Sequence, residues 1–382
     1  MSIASYLKRI YINQVKDHIN EIDPTKLWAF LSYIPEPYMK KSNSKYMLKH
    51  QNRREAILIG ETFNELGYNT LNMRFDKKFS EETLYQKQCK IVFGIEPNFR
   101  EMAQSCKSAL KIYYATGAYY SHQNHMVISR TDDVNERKQS NIPYKRLVGE
   151  HNSIDIADYV IQIGSDLTID TYPEQYKEKI FPIRQSSFEF LNLDFAQKSQ
   201  VSSNQNYLWF GSHGSILKGL DLVLEFFSNN PSLNLHVIGN VDREFEQVFH
   251  RELHETKNIH FHGYIPINGL KLLEIANKCA FIIFPSGSEG GLPGSVINMM
   301  RLGLIPIVSR YAADNNVKEL GVLMNDVTMG EIEKAIHLSQ EIDKNEIMNL
   351  YDKNYKYVKE NYNLEIFKMD LATSLQKILK RV

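Results

Sequence analysis

The stretch YLWFGSHGSILKGLDLVLEFF, residues 207–227, decides the fold. Its first residues are apolar and aromatic, as in a buried strand, and its last part, Leu220–Phe227, has helical spacing. Between them lies the loop GSHGSILKG, residues 211–219, whose three glycines permit a sharp turn and a close approach of the backbone to a ligand. A strand, a glycine-rich loop and a helix in this order form one unit of a parallel α/β sheet.

Similar units recur on both sides of this stretch. The first helical segment is residues 50–66, which stops at Gly67. Apolar segments placed like strands lie at Leu27–Ile34, Thr70–Phe75, Lys90–Gly94, Leu110–Tyr114, Tyr159–Gly164, His236–Ile238, Ile259–Phe261, Ala280–Phe284 and Ile305–Val308. Strands that alternate with helices in this way predict an α/β protein with mainly parallel sheets.

The length of 382 residues suits two domains. The stretch AQKSQVSSNQN, residues 196–206, is polar and lacks apolar periodicity, which is typical of a linker. We therefore predict a first domain over 1–195, a second over 207–355 and a closing helix over 356–382. From Leu364 onward, that helix is predicted to bury one apolar face against a domain, formed by Phe367, Leu371, Leu375 and Ile378.

The composition excludes several classes of protein. With 43% hydrophobic and 24% charged residues, the chain is typical of a globular protein. The formal net charge is zero, so no global field attracts it to nucleic acid. Its three cysteines form no CxxC pair, which argues against a cysteine metal site and fits a reducing compartment. No signal peptide and no apolar run long enough to cross a bilayer is present, so we predict a cytoplasmic protein.

The amino-terminal region is locally basic. Residues 1–54 hold ten Lys/Arg against four Asp/Glu. Residues 3–19 have apolar side chains at roughly helical spacing, namely Ile3, Leu7, Ile10, Val15 and Ile19. One interpretation is an interfacial helix that makes peripheral contact with the inner face of a membrane. The simpler interpretation is a helix that packs this face on the first domain.

The first glycine-rich loop has the features of a diphosphate cradle. The helix after it directs free N–H groups and a partial positive charge toward the loop. Lys218 adds a full positive charge at the same place. The order of a Walker loop, GxxxxGK[ST], is absent, so the pattern indicates a different kind of phosphate site. The alternative interpretation is a structural turn with a solvated lysine.

A second glycine-rich loop follows the strand Ala280–Phe284, within PSGSEGGLPGSVINMMRLGLIP, residues 285–306. In an open α/β sheet, ligands lie at the carboxyl ends of the strands, so both loops are expected to face one site. Glu289 is an acid among glycines and is placed to reach sugar hydroxyls, although a solvated loop acid is the alternative. Gly290 and Gly291 offer unobstructed backbone N–H groups.

The helix after this loop carries two further polar candidates. Ser295 stands at its expected start, where it either binds a ligand or caps the helix. Asn298 lies about one turn later and is a candidate for a contact with a ribose.

These segments together resemble a known family. The span from WFGSHGSILKGLDLVLEFF through VIGN and NIHFHGYIP to PSGSEGGLPGSVINMMRLGLIPIVS resembles the donor domain of retaining glycosyltransferases of family 4, the glycosyl transferases group 1. The resemblance implies the GT-B fold, in which two Rossmann-like domains with parallel sheets face each other across a cleft. The first half resembles the family more loosely, through HQNRREAILIGETFNELGY, KIYYATGAYY and ADYVIQIG, and would bind the acceptor.

The resemblance implies roles around the donor diphosphate. Lys218 would neutralise it, and Gly211, Ser212, His213 and Gly214 would surround it. Ser212 and His213 stand where the family often has an arginine that shares this task. This sequence therefore lacks one charge of the family's pattern.

The resemblance also implies contacts with the base and the sugar. The main chain of Gly263–Ile265, at Tyr264 and Ile265, would hold the base. Glu289 would correspond to the first glutamate of the family's paired-glutamate signature and would touch the donor sugar. Asn298 replaces the second glutamate, which usually binds the ribose, and the spacing is one residue longer.

The predicted function is transfer of a hexose from a nucleotide diphosphate sugar to a hydroxyl of a glycan or lipid-linked glycan, as in polysaccharide biosynthesis. The resemblance implies retention at the anomeric carbon, no metal and no other cofactor. Lys218 and the helix dipole would take over the stabilisation of the leaving group that a divalent ion provides elsewhere. Two alternatives stay open, a nucleotide-sugar epimerase on the same fold and a non-catalytic nucleotide-sugar-binding protein.

Four other polar residues of the first half are candidates for the cleft. His122 and His125 follow the strand Leu110–Tyr114 closely enough to line it, although surface histidines are the commoner case. Arg53 and Arg54 are placed to attract an anionic acceptor or a phospholipid, unless they belong to a solvated helix face.

Overall fold

The fold consists of two sheets, each covered by helices. A computed structural model describes residues 15–20, 22–77, 79, 88–149, 153–189, 198 and 202–381. Within these residues the first sheet has seven strands, β1 His18–Asn20, β2 Leu27–Tyr33, β3 Tyr68–Arg74, β4 Cys89–Gly94, β5 Leu110–Ala115, β6 Tyr159–Ile163 and β7 Ile180–Ile183. The second has six, β8 Ser203–Phe210, β9 Asn234–Ile238, β10 Ile259–Phe261, β11 Cys279–Phe284, β12 Ile305–Ser309 and β13 Val322–Met324.

The helices alternate with these strands. In the first half they are α1 Asn52–Glu65, α2 Asn98–Ser105, α3 Tyr120–Lys138, α4 Ser153–Ile156, α5 Asp166–Ile169 and α6 Glu174–Lys177. In the second half they are α7 Leu220–Asn229, α8 Arg243–Val248, α9 His250–His254, α10 Leu270–Lys278, α11 Gly294–Arg301, α12 Met329–Glu341, α13 Lys344–Asn361 and α14 Leu364–Leu379. Short 3₁₀ turns occupy Glu36–Met39, Met47–Lys49, Arg310–Ala312 and Val317–Glu319.

The first sheet is parallel except at one edge. Its order is β1-β3-β2-β4-β5-β6-β7, and β1 pairs antiparallel with β3, with Ile19 opposite Leu71. Residues 18–20 are therefore a strand, which contradicts the carboxyl end of the helix expected over residues 3–19. The rest of that expectation, including most of the proposed membrane contact, lies in residues 1–14, outside the described part of the chain.

The second sheet is parallel throughout, in the order β10-β9-β8-β11-β12-β13. This is the Rossmann order, in which the direction of winding reverses between the first and fourth strands, here β8 and β11. The two glycine-rich loops follow these two strands, so the order of strands brings them together. β8 begins at Ser203, inside the segment 196–206 that composition predicts as a linker.

The closing helix packs on the first sheet, although it follows the second domain in the chain. The four apolar residues predicted to share a face of α14 are all fully buried, in one core with side chains of α1, β2, β4 and β5. The prediction of this buried face is confirmed, and its partner is the first domain. Across the described residues, every helix is too short or too polar to traverse a lipid bilayer.

Helix α3 also packs on the domain other than its own, in this case on the second domain. It belongs to the first half of the chain, between β5 and β6, yet Met126, Val127 and Val134 lie in the core of the second domain. Arg130 on α3 donates a hydrogen bond of 2.5 Å to Asp221 of α7, whose side chain is inaccessible to solvent. Because this pair is buried beside apolar contacts, α3 is fastened to the second domain.

Candidate active site

A cavity of about 360 Å³ lies between the carboxyl ends of the two sheets. The first domain contributes Lys49, His50, Gln51, Thr116, Arg146, Ile163 and Gln185 to its wall. The second contributes Phe210, Gly211, Ser212, Lys218, Gly239, Asn240, Tyr264, Ile265, Ile267, Phe284, Glu289, Gly290, Pro293, Gly294 and Ser295. Eight of the residues predicted from the sequence therefore meet at one place, namely Gly211, Ser212, Lys218, Tyr264, Ile265, Glu289, Gly290 and Ser295.

The two glycine-rich loops contact each other at the base of this cavity. Gly219, with a φ of +69°, lies so close to Pro285 that a Cβ there would be 2.4 Å from the Pro285 carbonyl oxygen. Gly287 N donates to the Leu217 carbonyl at 2.7 Å. The backbone of each loop thereby holds the other, which sets the relative positions of the side chains that the loops present.

Lys218 is the buried cation of the site. Its side chain reaches Ser212, with 3.0 Å between Nζ and Oγ, while its backbone carbonyl accepts from the Trp209 indole at 3.3 Å. Burial lowers the pKa of Lys218, and the negative charge of Glu289 opposes this shift. A desolvated ammonium gains more from an anionic ligand than a solvated one does.

Glu289 faces the same cavity from the second loop. Ser286, which is fully buried, donates from Oγ to the Glu289 Oε1 at 3.0 Å. Ser286 is in turn fixed by β12, because Ser309 Oγ donates to its carbonyl oxygen. One oxygen of the Glu289 carboxylate is therefore held by the protein, and Glu289 and Lys218 line the same cavity.

The helix that begins at the wall of the cavity is α11. The sequence predicts this position for α7, the helix after the first loop, but no residue of α7 lines the cavity. The N-cap of α11 is Pro293, and Gly294 and Ser295 are its first residues, so Ser295 does not cap the helix. The first N–H groups of a helix have no partner within it and carry a partial positive charge. Gly294 allows close packing here, since a Cβ would lie 2.1 Å from the Gln51 side-chain nitrogen.

Two predicted phosphate contacts of the first loop lie elsewhere. Gly214 N and Ser215 N donate to the Asp242 carboxylate at 2.9 and 3.2 Å, and His213 is 3.2 Å from the same group. Burial opposes the ionisation of Asp242, but these donors outweigh it and hold the pKa of its carboxyl below the usual value. His213 and Gly214 therefore contact the Asp242 carboxylate of the protein itself, where the sequence predicts contacts with a phosphate.

Two predicted contacts of the second loop also lie off the cavity. Gly291, with a φ of +67°, packs on the first domain, where a Cβ would lie 3.0 Å from the Gly164 Cα. Asn298 is fully buried, accepts from the Phe188 N–H at 2.8 Å and donates to the Gly294 carbonyl at 2.6 Å. Asn298 thus ties the segment after β7 to α11, and both ends of its amide are engaged by the protein.

The other candidates of the first half are displaced too. His122 and His125 line a separate cavity of about 680 Å³ beside α7, where His122 Nε2 lies 3.0 Å from the Gly287 carbonyl oxygen. Arg53 stacks on Tyr46, and Arg54 lies over the Phe188 ring. None of the four is among the residues that line the cavity between the sheets.

Sequence reasoning missed the residues that the first domain contributes. Gln51 donates from Nε2 to the Gln185 Oε1 at 2.9 Å, and Gln185 donates to the Leu292 carbonyl at 2.5 Å. This chain of amides connects the two domains across the cavity wall. Arg146 enters from the loop after α3. Gln51 lies in a segment that resembles the family, but no motif assigns it a role, and Gln185 and Arg146 lie outside these segments. Only the packing of distant segments brings the three residues to the cleft.

Residues 204–339 match the family of group 1 glycosyl transferases. This group 1 domain contains both glycine-rich loops and all of the second domain's contributions to the cavity. No curated protein sequence matches the chain.

Solved structures similar to the whole chain share the GT-B fold. HepE from Anabaena, solved with UDP-glucose, has a TM-score of 0.57 at 12% identity and covers 92% of this chain and 99% of its own. WaaG, a glycosyltransferase of lipopolysaccharide biosynthesis, has a TM-score of 0.55 at 13% identity, with 91% and 98% covered. The pneumococcal O-GlcNAc transferase GtfA, solved with UDP and GlcNAc, matches 76% of this chain with a TM-score of 0.50 and 15% identity. The match spans 56% of the length of GtfA. The chain thus has the GT-B fold, and its residues 204–339 match a family of glycosyl transferases.

Proposed function

We propose that the protein transfers a hexose from a nucleotide diphosphate sugar to a hydroxyl group of a glycan or a lipid-linked glycan. The observation that carries this proposal is that Lys218 and Glu289 line one cavity between the two sheets, on loops of the segment that matches the group 1 glycosyl transferases. Lys218 serves the diphosphate, and Glu289 serves the hydroxyls of the sugar attached to it. The base lies toward Tyr264 and Ile265, on the far wall of the cavity.

The leaving diphosphate is stabilised by fixed positive charge in this proposal. Lys218 supplies a full charge, and the first N–H groups of α11 supply a partial charge and hydrogen bonds. Preorganised charge of this kind needs no reorganisation when negative charge develops on the departing oxygen. The protein's own groups then perform the task that a divalent cation performs in other transferases, so we propose metal-independent transfer.

In the proposed mechanism the sugar is transferred with retention, and this transfer needs no general base from the protein. The acceptor hydroxyl approaches the anomeric carbon on the face from which the diphosphate leaves. The bond from the anomeric carbon to the diphosphate oxygen breaks, the bond to the acceptor oxygen forms, and the acceptor's proton passes to the leaving diphosphate. Glu289 holds the sugar so that the reacting atoms meet in this geometry.

A second cavity, of about 290 Å³, supplies a place for the acceptor. It adjoins the first cavity, because Thr116 and Arg146 belong to both walls. Tyr113, Tyr119, Tyr120 and Tyr172 line it. Tyrosine combines a flat apolar face with a hydroxyl, which suits the C–H face and the hydroxyl groups of a sugar ring. The acceptor proposed for this cavity is accordingly a glycan.

The experiment that tests the function is a thermal-shift screen of nucleotide sugars followed by product analysis. A bound donor raises the unfolding temperature by mass action, which identifies base and sugar together. The donor is then incubated with glycan acceptors, and the anomeric configuration of the product is read by NMR. We expect the configuration of the donor to be kept, and chelation of divalent cations to leave the rate unchanged.

Other outcomes of this experiment distinguish the alternative functions. Conversion of the donor to an epimer without an acceptor would identify an epimerase. Tight binding without transfer, hydrolysis or epimerisation would identify a non-catalytic binding protein. Stabilisation by no nucleotide sugar at all would refute the proposed function.

A further inference from the structure

The loop between α3 and α4 is held in one conformation by α3. This loop, residues 139–149, is called the strap below. Asn135 accepts from the Ile142 N–H at 2.7 Å and donates to the Ile142 carbonyl at 3.0 Å. Asn124 makes the same pair of bonds with Val148, at 2.8 and 2.7 Å. Two amide side chains thus bind the strap at both ends as a neighbouring strand would.

The strap is attached to the second domain, because α3, the helix that holds the strap, packs on that domain. α3 contributes to the second core, and its Arg130 is paired with the inaccessible Asp221. Lys145 of the strap also lies 3.3 Å from Glu244 of α8, but both side chains are about two-fifths exposed, so this contact adds little to the bonds made by Asn135 and Asn124. The strap therefore keeps a fixed position relative to Lys218, although it belongs to the first half of the chain.

Arg146 is the residue that the strap presents to the cavity. Its φ is +68°, in the left-handed region that a side chain disfavours, and Gln123 Nε2 holds its carbonyl oxygen at 2.8 Å. The stem of Arg146 passes over Gly214, where a Cβ would lie 2.2 Å from the Arg146 Cδ. A glycine at 214 is thus required for Arg146 to reach the cavity.

The guanidinium of Arg146 adds a second positive charge to the cavity that Lys218 lines. Arg146 lines the cavity, and no hydrogen bond or ion pair of its guanidinium is formed with the residues that the structure describes. Its charge acts on the Lys218 ammonium: burial is the main cause of the lowered Lys218 pKa, and Arg146 adds to that lowering. Two cations brought together without a bound anion repel each other, and a ligand with negative charge on neighbouring groups removes this cost.

We propose that Arg146 is a second cationic ligand for the diphosphate of the donor, contributed from the opposite half of the chain. A guanidinium donates two parallel hydrogen bonds to phosphate oxygens, whereas the Lys218 ammonium acts as a point charge. The pair therefore selects a diphosphate over a monophosphate. This inference rests on the proposed function, since it assigns Arg146 to the same donor.

The test compares Arg146→Ala and Arg146→Lys with the matched control Lys145→Ala, which removes a charge one residue away. Binding of UDP, GDP and ADP, of the corresponding monophosphates and nucleosides, and of inorganic pyrophosphate is measured by titration calorimetry on the full chain. We expect Arg146→Ala to lose at least about tenfold in affinity for the bound nucleoside diphosphate and for pyrophosphate. Nucleoside affinity stays within about twofold, Arg146→Lys is intermediate, and Lys145→Ala resembles the wild type.

Other results overturn the inference. Unchanged diphosphate affinity in Arg146→Ala would do so, as would an equal loss for nucleoside and diphosphate, because the latter marks a general disturbance of the cleft. Failure of the wild type to bind any diphosphate or pyrophosphate would also overturn it. The proposed function can fail while this inference holds. If Arg146→Ala weakens diphosphate binding but the wild type transfers no sugar, Arg146 is a diphosphate ligand and the protein is not a transferase.

Discussion

Lys218 and Glu289 are the residues whose loss is expected to reduce catalysis most. Replacing Lys218 by Met removes the buried charge that stabilises the leaving diphosphate. Removal of one preorganised group of this kind costs ~100-fold in turnover. Steady-state kinetics with the donor identified by the screen measures the effect. Glu289→Gln is expected to lower kcat/KM similarly, because the amide has one accepting oxygen where the carboxylate has two and carries no negative charge.

The control for this prediction is Glu244→Gln together with Lys145→Ala. These two residues pair with each other on the outer side of the strap, so they remove the same charges away from the cavity. Turnover in the control is expected to remain near that of the wild type. Undiminished turnover in Lys218→Met or Glu289→Gln would refute the site.

Replacing Asn298 distinguishes a structural role of this residue from the predicted contact with a ribose. Asn298→Ala leaves the buried Phe188 N–H without its acceptor, which costs about 1–3 kcal/mol of stability. Chemical denaturation measures this loss, and Asn354→Ala, another fully buried amide bound to backbone carbonyls, is the matched control. We expect the preference of Asn298→Ala for the nucleoside diphosphate of the donor identified by the screen, over its 2′-deoxy form, to equal that of the wild type. Loss of this preference would assign Asn298 to the ribose instead.

The sequence predicts the site residues that lie on the two loops after β8 and β11. Lys218 and Glu289 were predictable because strand order places both loops at one edge of a sheet. Arg146 and Gln51 were not, because α3 packing and the inter-domain amides bring them to the cleft. Asn298 was assigned to a ligand because its complete burial and its partner Phe188 are invisible in the pattern of residue types.

Helix α1 contains a buried acid that makes stability depend on pH. Glu55 accepts from the N–H and the hydroxyl of Ser186, both at 2.7 Å. Burial is the main influence on this carboxyl and raises the pKa of Glu55 to about 7. Since the unfolded chain ionises near pH 4.5, the folded state binds the extra proton between pH 4.5 and about 7. Stability is therefore highest below this window and is lost as pH rises through it.

Glu55→Gln is expected to remove this dependence, because glutamine keeps the acceptor oxygen and does not ionise. The variant should gain up to ~3 kcal/mol relative to the wild type at pH 8 and little at pH 4.5. Urea unfolding at several pH values measures the difference. Glu61→Gln, on the same helix but partly solvated, is the control. An identical pH profile for wild type and Glu55→Gln would contradict the prediction.

At the scale of elements, most of the fold was predictable. Parallel strands buried on both faces read as continuous apolar runs, as in CAFIIF of β11. The edge strand β1 was not predicted, because its three residues, HIN, carry no apolar pattern and depend on their pairing with β3. β8 starts earlier than composition indicates, since hydrogen bonding to neighbouring strands extends into polar residues.

The two halves of the molecule are joined by a buried ion pair between Arg130 and Asp221. Replacing Asp221 by Leu removes the buried carboxylate that Arg130 shares with Arg137 and leaves Arg130 only the partly exposed Asp133, which costs up to about 3–5 kcal/mol. Replacing both residues, as Arg130→Met with Asp221→Leu, is expected to restore most of the stability. Thermal and chemical unfolding of the single and double variants measure the coupling. Additive losses would show that the pair does not act as a unit.

The exposed pair Lys356 and Asp352 provides the comparison. Both side chains are more than half exposed, so the stability of Lys356→Met is expected to equal that of the wild type within the error of the measurement. A loss as large as that of Asp221→Leu would contradict the assignment of the energetic difference to burial.

The packing of α14 on the first sheet has a consequence for biosynthesis. The first domain leaves the ribosome long before residues 364–379, yet these residues supply part of its core. Until α14 has left the ribosome, the apolar surface of α1 and β7 that it covers stays open to water and to other nascent chains. We therefore expect the newly made first domain to aggregate more readily before α14 is synthesised than after it.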